Sequence, residues 1–171
     1  MSLRSRIILV DTNVIIEAHR TNVWPALAKA LQLETVGICV LETQTGAQNR
    51  RPEQRIDEAA LRASLQQVHN VSELDRAMAA TRDPQVGWLD AGERDLWAHA
   101  IGREDTWLLC GPDAASLRVG IRLGFRERLA ALDALCAEAG CRPAPALKTQ
   151  YTRAWLDKKL VEMAIQEGRW P

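Results

Sequence analysis

The chain carries no net charge: 22 Lys and Arg residues stand against 22 Asp and Glu residues. Such a balance produces no field that would draw the whole molecule to nucleic acid or to an anionic membrane, so any contact of that kind has to be local. The four cysteines, Cys39, Cys110, Cys136 and Cys141, show neither CxxC spacing nor a histidine partner. That pattern signals neither a zinc cluster nor a disulfide framework, and reduced thiols with a cytoplasmic location are the expectation. No apolar run approaches the roughly 20 residues of a membrane span, and the first residues lack the apolar core of a signal peptide. No repeat or low-complexity tract interrupts the chain. What is present is 171 residues with 47% hydrophobic content, enough for one domain to bury a core without covalent staples. A single domain over 1–171 is expected, with 143–171 forming a linker and a helix packed on it or on a second copy.

The most informative stretch is IILVDTNVIIE, residues 7–17. Ile7 to Val10 form a short, continuously apolar run rich in β-branched residues, as a parallel strand buried on both faces requires. Asp11, Thr12 and Asn13 follow at once, and apolar residues then resume at helical spacing from Val14. The polar triplet therefore sits where strand becomes helix, at the carboxyl edge of a sheet, where open α/β folds gather their ligands. A simpler reading competes: Asp11 or Asn13 merely caps the helix.

Further along, Asn22 and Pro25 read as a helix start, with Leu27, Ala30 and Leu31 at i, i+3, i+4. VGICVL, residues 36–41, predicts a second strand, with Glu42 at its end. Pro52 to Val68 predicts a helix with Ile56, Ala60, Ala63 and Leu65 inward, and Arg50, Arg51 and Arg55 make a local basic cluster that reads as a solvated face. Ser72 to Thr81 predicts another helix, and Asp83, Pro84 and Gly87 a loop. In LDAGERDLWAHAIG, residues 89–102, Asp90 and Glu93 have capping-box spacing. At 100° per residue, however, Glu93 lies within the stripe of Leu96, Trp97, Ala100 and Ile101, so its carboxylate is aimed inward. An inward carboxylate is costly unless paired, protonated or bound to a metal.

Thr106 to Cys110 predicts a third strand, after which Asp113 precedes a helix that stops at Gly124. Arg118 and Arg122 share one face of that helix and are candidates for gripping phosphates near Asp113. Leu129 to Leu132 reads as a last short strand before a helix over Asp133 to Ala139. Pro143 to Leu147 reads as a linker, and Thr152 to Gln166 as a terminal helix.

Strands alternating with helices predict an α/β fold: a three-layer α/β/α sandwich around a mainly parallel sheet of four to five strands. Asp11, Glu42 and Asp113 would each follow a strand, and Glu93 would point inward from a helix start, so the four acids are expected to converge on one sheet edge. Four acids repel one another, and a hard divalent cation such as Mg²⁺ or Mn²⁺ is what makes the arrangement tolerable.

In these motifs the chain resembles the PIN-domain nucleases, which open with Asp-Thr-Asn after the first strand, then place a glutamate after the second, Gly-Glu at the start of a middle helix, and an aspartate after a further strand. The matching residues are Asp11, Thr12 and Asn13, then Glu42, then Gly92 and Glu93, then Asp113. One position departs: the family usually has Ser or Thr two residues before the last aspartate, where this chain has Gly111. The resemblance implies Mg²⁺- or Mn²⁺-dependent cleavage of RNA, single-stranded most often, by metal-activated water. It implies Asp11, Glu93 and Asp113 as metal ligands, Glu42 as a ligand through water or an orienter of the nucleophile, and Asn13 as support for Asp11. Many compact members of that family are toxins of toxin–antitoxin pairs, so an antitoxin or a second copy is an implied partner. The alternative is a scaffold of the same shape that binds RNA or protein without cutting.

Overall fold

The computed structural model describes residues 2–45 and 55–169. Five parallel strands form one sheet in the order β3-β2-β1-β4-β5: β1 Ile7–Val10, β2 Gln32–Val36, β3 Gln67–His69, β4 Trp107–Cys110 and β5 Leu129–Ala130. Helices cover both faces, so the three-layer α/β/α architecture expected from the sequence is the one observed. None of the described helices is long and apolar enough to cross a membrane.

The pleat sorts the side chains. Leu9, Val36, Trp107 and Leu109 point to one face, where they meet α5 (Glu73–Arg82), α6 (Ala91–Ile101), α7 (Ala114–Arg122) and α9 (Arg153–Gln166). Ile8, Val10, Leu33, Leu108 and Cys110 point to the other, against α1 (Thr12–Arg20), α2 (Trp24–Ala30), α4 (Glu58–Ser64) and α8 (Leu132–Ala139). Both faces of the central strands are thus apolar, as a doubly covered parallel sheet demands. The order of the strands reverses between β1 and β4, and in such sheets a crevice opens beyond the carboxyl ends at that point.

Of the strand expected over 36–41, only Val36 is in a strand, as the last residue of β2. β2 lies earlier, over QLETV, and residues Gly37–Gln44 form helix α3, so Glu42 sits on a helix rather than at a strand's end. A short apolar run bounded by turns has no periodicity that separates a buried strand from a buried helix. The true strand was obscured by Glu34, a carboxylate in its middle. α3 continues from the end of β2, with Cys39 packed into one core layer and Val40 into the other.

The helix expected over 52–68 is shorter. Asp57 accepts the Ala60 N–H and starts α4 at Glu58, and Gln67–His69 instead pair with β2. Ile56 and Leu65 are buried as expected, but Leu61 takes the inward position while Ala60 and Ala63 are exposed. Arg55 is exposed, and Arg50 and Arg51 lie outside the described residues. The remaining elements fall within about two residues of their expected bounds, except that Pro84–Trp88, within the expected loop, forms a 3-10 helix, and α5 carries a true capping box between Ser72 and Asp75.

The segment after α8 is stitched to the end of α1. Ala144 N–H donates to Thr21 O at 3.0 Å and Lys148 N–H to Glu17 Oε1 at 2.8 Å. α9 then buries Leu156, Leu160, Met163 and Ala164 in the core beside α7.

Candidate acidic site at the carboxyl edge

Asp11 ends β1 at the topological switch point and caps α1, its Oδ2 accepting the Asn13 N–H at 3.3 Å. Its backbone N–H donates to Cys110 O at 3.1 Å, which ties it to the end of β4. Asp113 does the same for α7, its Oδ1 accepting from Ala115 N at 2.7 Å and Ser116 N at 3.1 Å. Both are therefore caps, as the simpler reading held. Capping does not exhaust Asp113, because both of its cap bonds go to one oxygen.

Glu42 reaches the same place from α3. Thr12 Oγ1 donates to its Oε2 at 2.5 Å, and the Gly92 N–H at the start of α6 donates to its Oε1 at 3.1 Å. Asp90, at the N-cap of α6, makes no capping bond with its side chain. The capping box that this spacing allows does not form: Glu42 supplies an acceptor from another element and Glu93 turns inward, as its helical stripe predicts. A Cβ on Gly92 would lie 3.0 Å from Cys39 Sγ and 3.1 Å from Glu42 Cδ. Glycine at 92 is what lets α6 approach α3 this closely.

Asp11, Thr12, Asn13, Glu42, Asp90, Ala91 and Glu93 line a cleft of about 320 Å³. Asp11 is 3% exposed and Glu93 is 7% exposed. Burial, opposed by bonds from the Asn13 and Thr12 backbones and aided by the charges of Glu42 and Asp113, raises the pKa of Asp11 to about 6. Burial, with the charges of Asp113, Asp11, Asp90 and Glu42 added, raises that of Glu93 to about 8. Asp11 and Glu93 thus both feel Glu42 and Asp113, although Asp113 stands beside the cleft rather than in its lining, and Asp90, read from the sequence only as a cap, is a fifth member. Thr12 was also missed as a functional side chain. Its local signal was only its place in the polar triplet.

Two expectations change. Asn13 supports Asp11 through its backbone N–H, while its side chain is exposed at the cleft. Arg118 and Arg122 do not line the cleft. Arg118 bonds Glu167 Oε1 at 2.8 Å and Gln166 Oε1 at 2.9 Å, and Arg122 bonds Asp83 Oδ2 at 2.6 Å and Glu167 Oε2 at 3.1 Å. They join α7 to the end of α9 and to the turn before Pro84. At the departing position, a Cβ on Gly111 would lie 3.2 Å from the Asp11 Cβ, so a side chain there would press directly on the first acid.

A second cluster lies between β2, β3 and α6. Glu34, His69 and His99 each place a ligand atom within 4.8 Å of the others, and they could hold a metal ion. Among the described residues this is the one group of three with that spacing, and the acids of the cleft stand further apart. Burial, His69 and Arg103 lower the pKa of His99 to about 4, which keeps its imidazole neutral. The sequence hid this cluster because its members lie 35 and 30 positions apart on three elements.

No family model, no curated protein and no solved structure matches the chain.

Proposed function

We propose that the acidic cleft is the active site of a metal-dependent phosphodiesterase, and that the protein is an endoribonuclease acting on single-stranded RNA, as its resemblance to PIN-domain nucleases implies. The observation carrying this reading is the burial of Asp11 and Glu93 beside Glu42, Asp90 and Asp113, with both pKa values raised. Capping accounts for the places of Asp11 and Asp113, but not for the buried Glu93 carboxylate set beside them, whose charge a cation would offset.

The donor set fits Mg²⁺ or Mn²⁺, which take hard oxygen ligands, and the wide spacing of the carboxylates suits an ion that keeps several waters. Asp11, Glu93 and Asp113 would hold it, with Glu42 oriented from behind by Thr12 and Gly92. A bound divalent ion supplies a Lewis acid for the phosphoryl oxygen and lowers the pKa of water. The protein's own contribution is positional: two helix caps and the sheet edge fix Asp11 and Asp113, and the α3–α6 contact fixes Glu42.

The non-cutting scaffold is favoured by one observation: both oxygens of Glu42 are already engaged within the protein. Incubation of the chain with single-stranded RNA and Mg²⁺ or Mn²⁺, with and without chelator, separates the readings. Cleavage that stops on chelation and in Asp113→Asn is expected of the nuclease. Equal cleavage with chelator present, or none by the metal-loaded wild type, sinks it.

A further inference from the structure

The Glu34, His69 and His99 cluster stands apart from the acidic cleft in place and in chemistry. Glu34 lies in the middle of β2, 4% exposed, where an unpaired carboxylate would be costly. His69, on the adjacent strand β3, places Nε2 2.7 Å from Glu34 Oε2. His99 comes from α6 and stacks on His69, with ring centroids 3.8 Å apart. A cation already occupies the middle of the group. Arg103 Nη1 donates to Glu34 Oε2 at 2.8 Å and lies 2.8 Å from His99 Nε2, while Arg103 Nε donates to Asp105 Oδ1 at 2.7 Å.

Two imidazoles and one carboxylate are a ligand set for a borderline-soft divalent ion, with a fourth position left for water. Mg²⁺, which seeks oxygen, is poorly served by such a set. The fit has two requirements. The guanidinium must leave, and it has Asp105 to retain it when it does. The rings must also turn out of their stack about χ2, so that the two nitrogen lone pairs meet beside Glu34 Oε2.

We propose that Glu34, His69 and His99 form a binding site for a divalent transition metal of the Zn²⁺ class, which displaces the Arg103 guanidinium. The ion would join β2 and β3 to α6. It would sit about six residues, roughly 9 Å of helix axis, from Glu93 on the same helix. No cysteine is needed, because imidazole nitrogen and carboxylate oxygen are themselves Zn²⁺ ligands.

The test is a titration of the chelator-stripped full chain with Zn²⁺, followed by histidine side-chain ¹⁵N NMR and by binding competition. The chain has three histidines, and His19, bonded to Ile15 O and stacked on Trp24, is the internal control. His69 and His99 should shift and His19 should not. Arg103→Ala should tighten Zn²⁺ binding at least about tenfold, because it removes the competitor, and His99→Ala should weaken it by about tenfold or more. Glu93→Gln, which alters the acidic cleft, should leave the Zn²⁺ dependence of the His69 and His99 shifts unchanged. Absence of any shift at His69 and His99 in the wild type would overturn the proposal. So would a His69 shift whose Zn²⁺ dependence weakens with Glu93→Gln and not with His99→Ala. The NMR arm uses the wild type, so failure of a variant to fold does not spare the proposal.

Discussion

Glu42 Oε1 accepts the backbone N–H of Gly92 at 3.1 Å across a helix contact that links residues 50 positions apart. A carboxylate on α3 thereby satisfies a free donor at the N-terminus of α6, where negative charge is also favoured by the helix dipole. The same bond fixes where Glu42 stands in the acidic cleft. Its geometry depends on the missing side chain at 92.

Gly92→Ala should therefore harm both packing and site. The new Cβ would lie 3.0 Å from Cys39 Sγ and 3.1 Å from Glu42 Cδ, so α3 or the Glu42 side chain has to move. The expected cost is about 1–3 kcal/mol by denaturant unfolding, with metal affinity weakened as well. Unchanged stability and metal affinity would mean that the α3–α6 contact is loose.

Glu93→Gln should stabilise the metal-free protein at high pH. The folded pKa of Glu93 is raised from 4.5 to about 8, so between those values the native state holds a proton that the unfolded chain has released. Stability from this group is full below about pH 4.5 and is lost as pH rises through 8. Glutamine removes that dependence. After allowance for solvent screening, the gain at pH 8.5 should be about 1–2 kcal/mol, read as a higher melting temperature than wild type in chelator. Parallel melting curves from pH 5 to pH 8.5 would contradict the burial of this carboxylate.

Asp11→Asn separates capping from metal binding. Asparagine caps a helix about as well as aspartate, so the α1 cap should survive. The Asp11 pKa is raised to about 6, so above that pH the wild type carries a buried charge that the variant lacks. Metal-free Asp11→Asn should melt higher than wild type at pH 7.5 and lose most of the further stabilisation that Mg²⁺ or Mn²⁺ gives by binding the folded state. Calorimetric melts with and without cation measure both effects. A wild type indifferent to cation would point to capping alone.

Replacing Arg118 and Arg122 with alanine should lower stability and leave the salt dependence of RNA affinity as it was. Asp83 is buried; burial would raise its pKa, yet Arg122 and the Gln85 N–H hold it below its ordinary value. That pairing contributes stability above the ordinary carboxylate range, lost as pH falls through the depressed pKa. The double variant should accordingly be less stable at neutral pH, and the difference should shrink on acidification. A flatter salt slope for RNA binding would instead return these arginines to the phosphate role suggested by their shared helix face.

Local chemistry carried much of the fold and part of the site. Ile7 to Val10 read most economically as a doubly buried strand, and Asp11 and Asp113, each placed between a strand and a helix, could be located at the carboxyl edge without knowing any partner. The inward aim of Glu93 followed from helical periodicity within its own fourteen-residue stretch. These features depend on neighbours a few residues away, which the order of residues contains. The tertiary structure alone decided the rest. Residues 37–41 became a helix because Glu34, supported by His69 and Arg103 from distant elements, could occupy the strand before them. Arg118 and Arg122 turned to Asp83 and Glu167, at sequence distances of 39 to 49 residues. Glu34, His69 and His99 met because strand pairing and the packing of α6 brought them together. A buried polar group is stable only with its partner in place, and that partner is chosen by the folded chain.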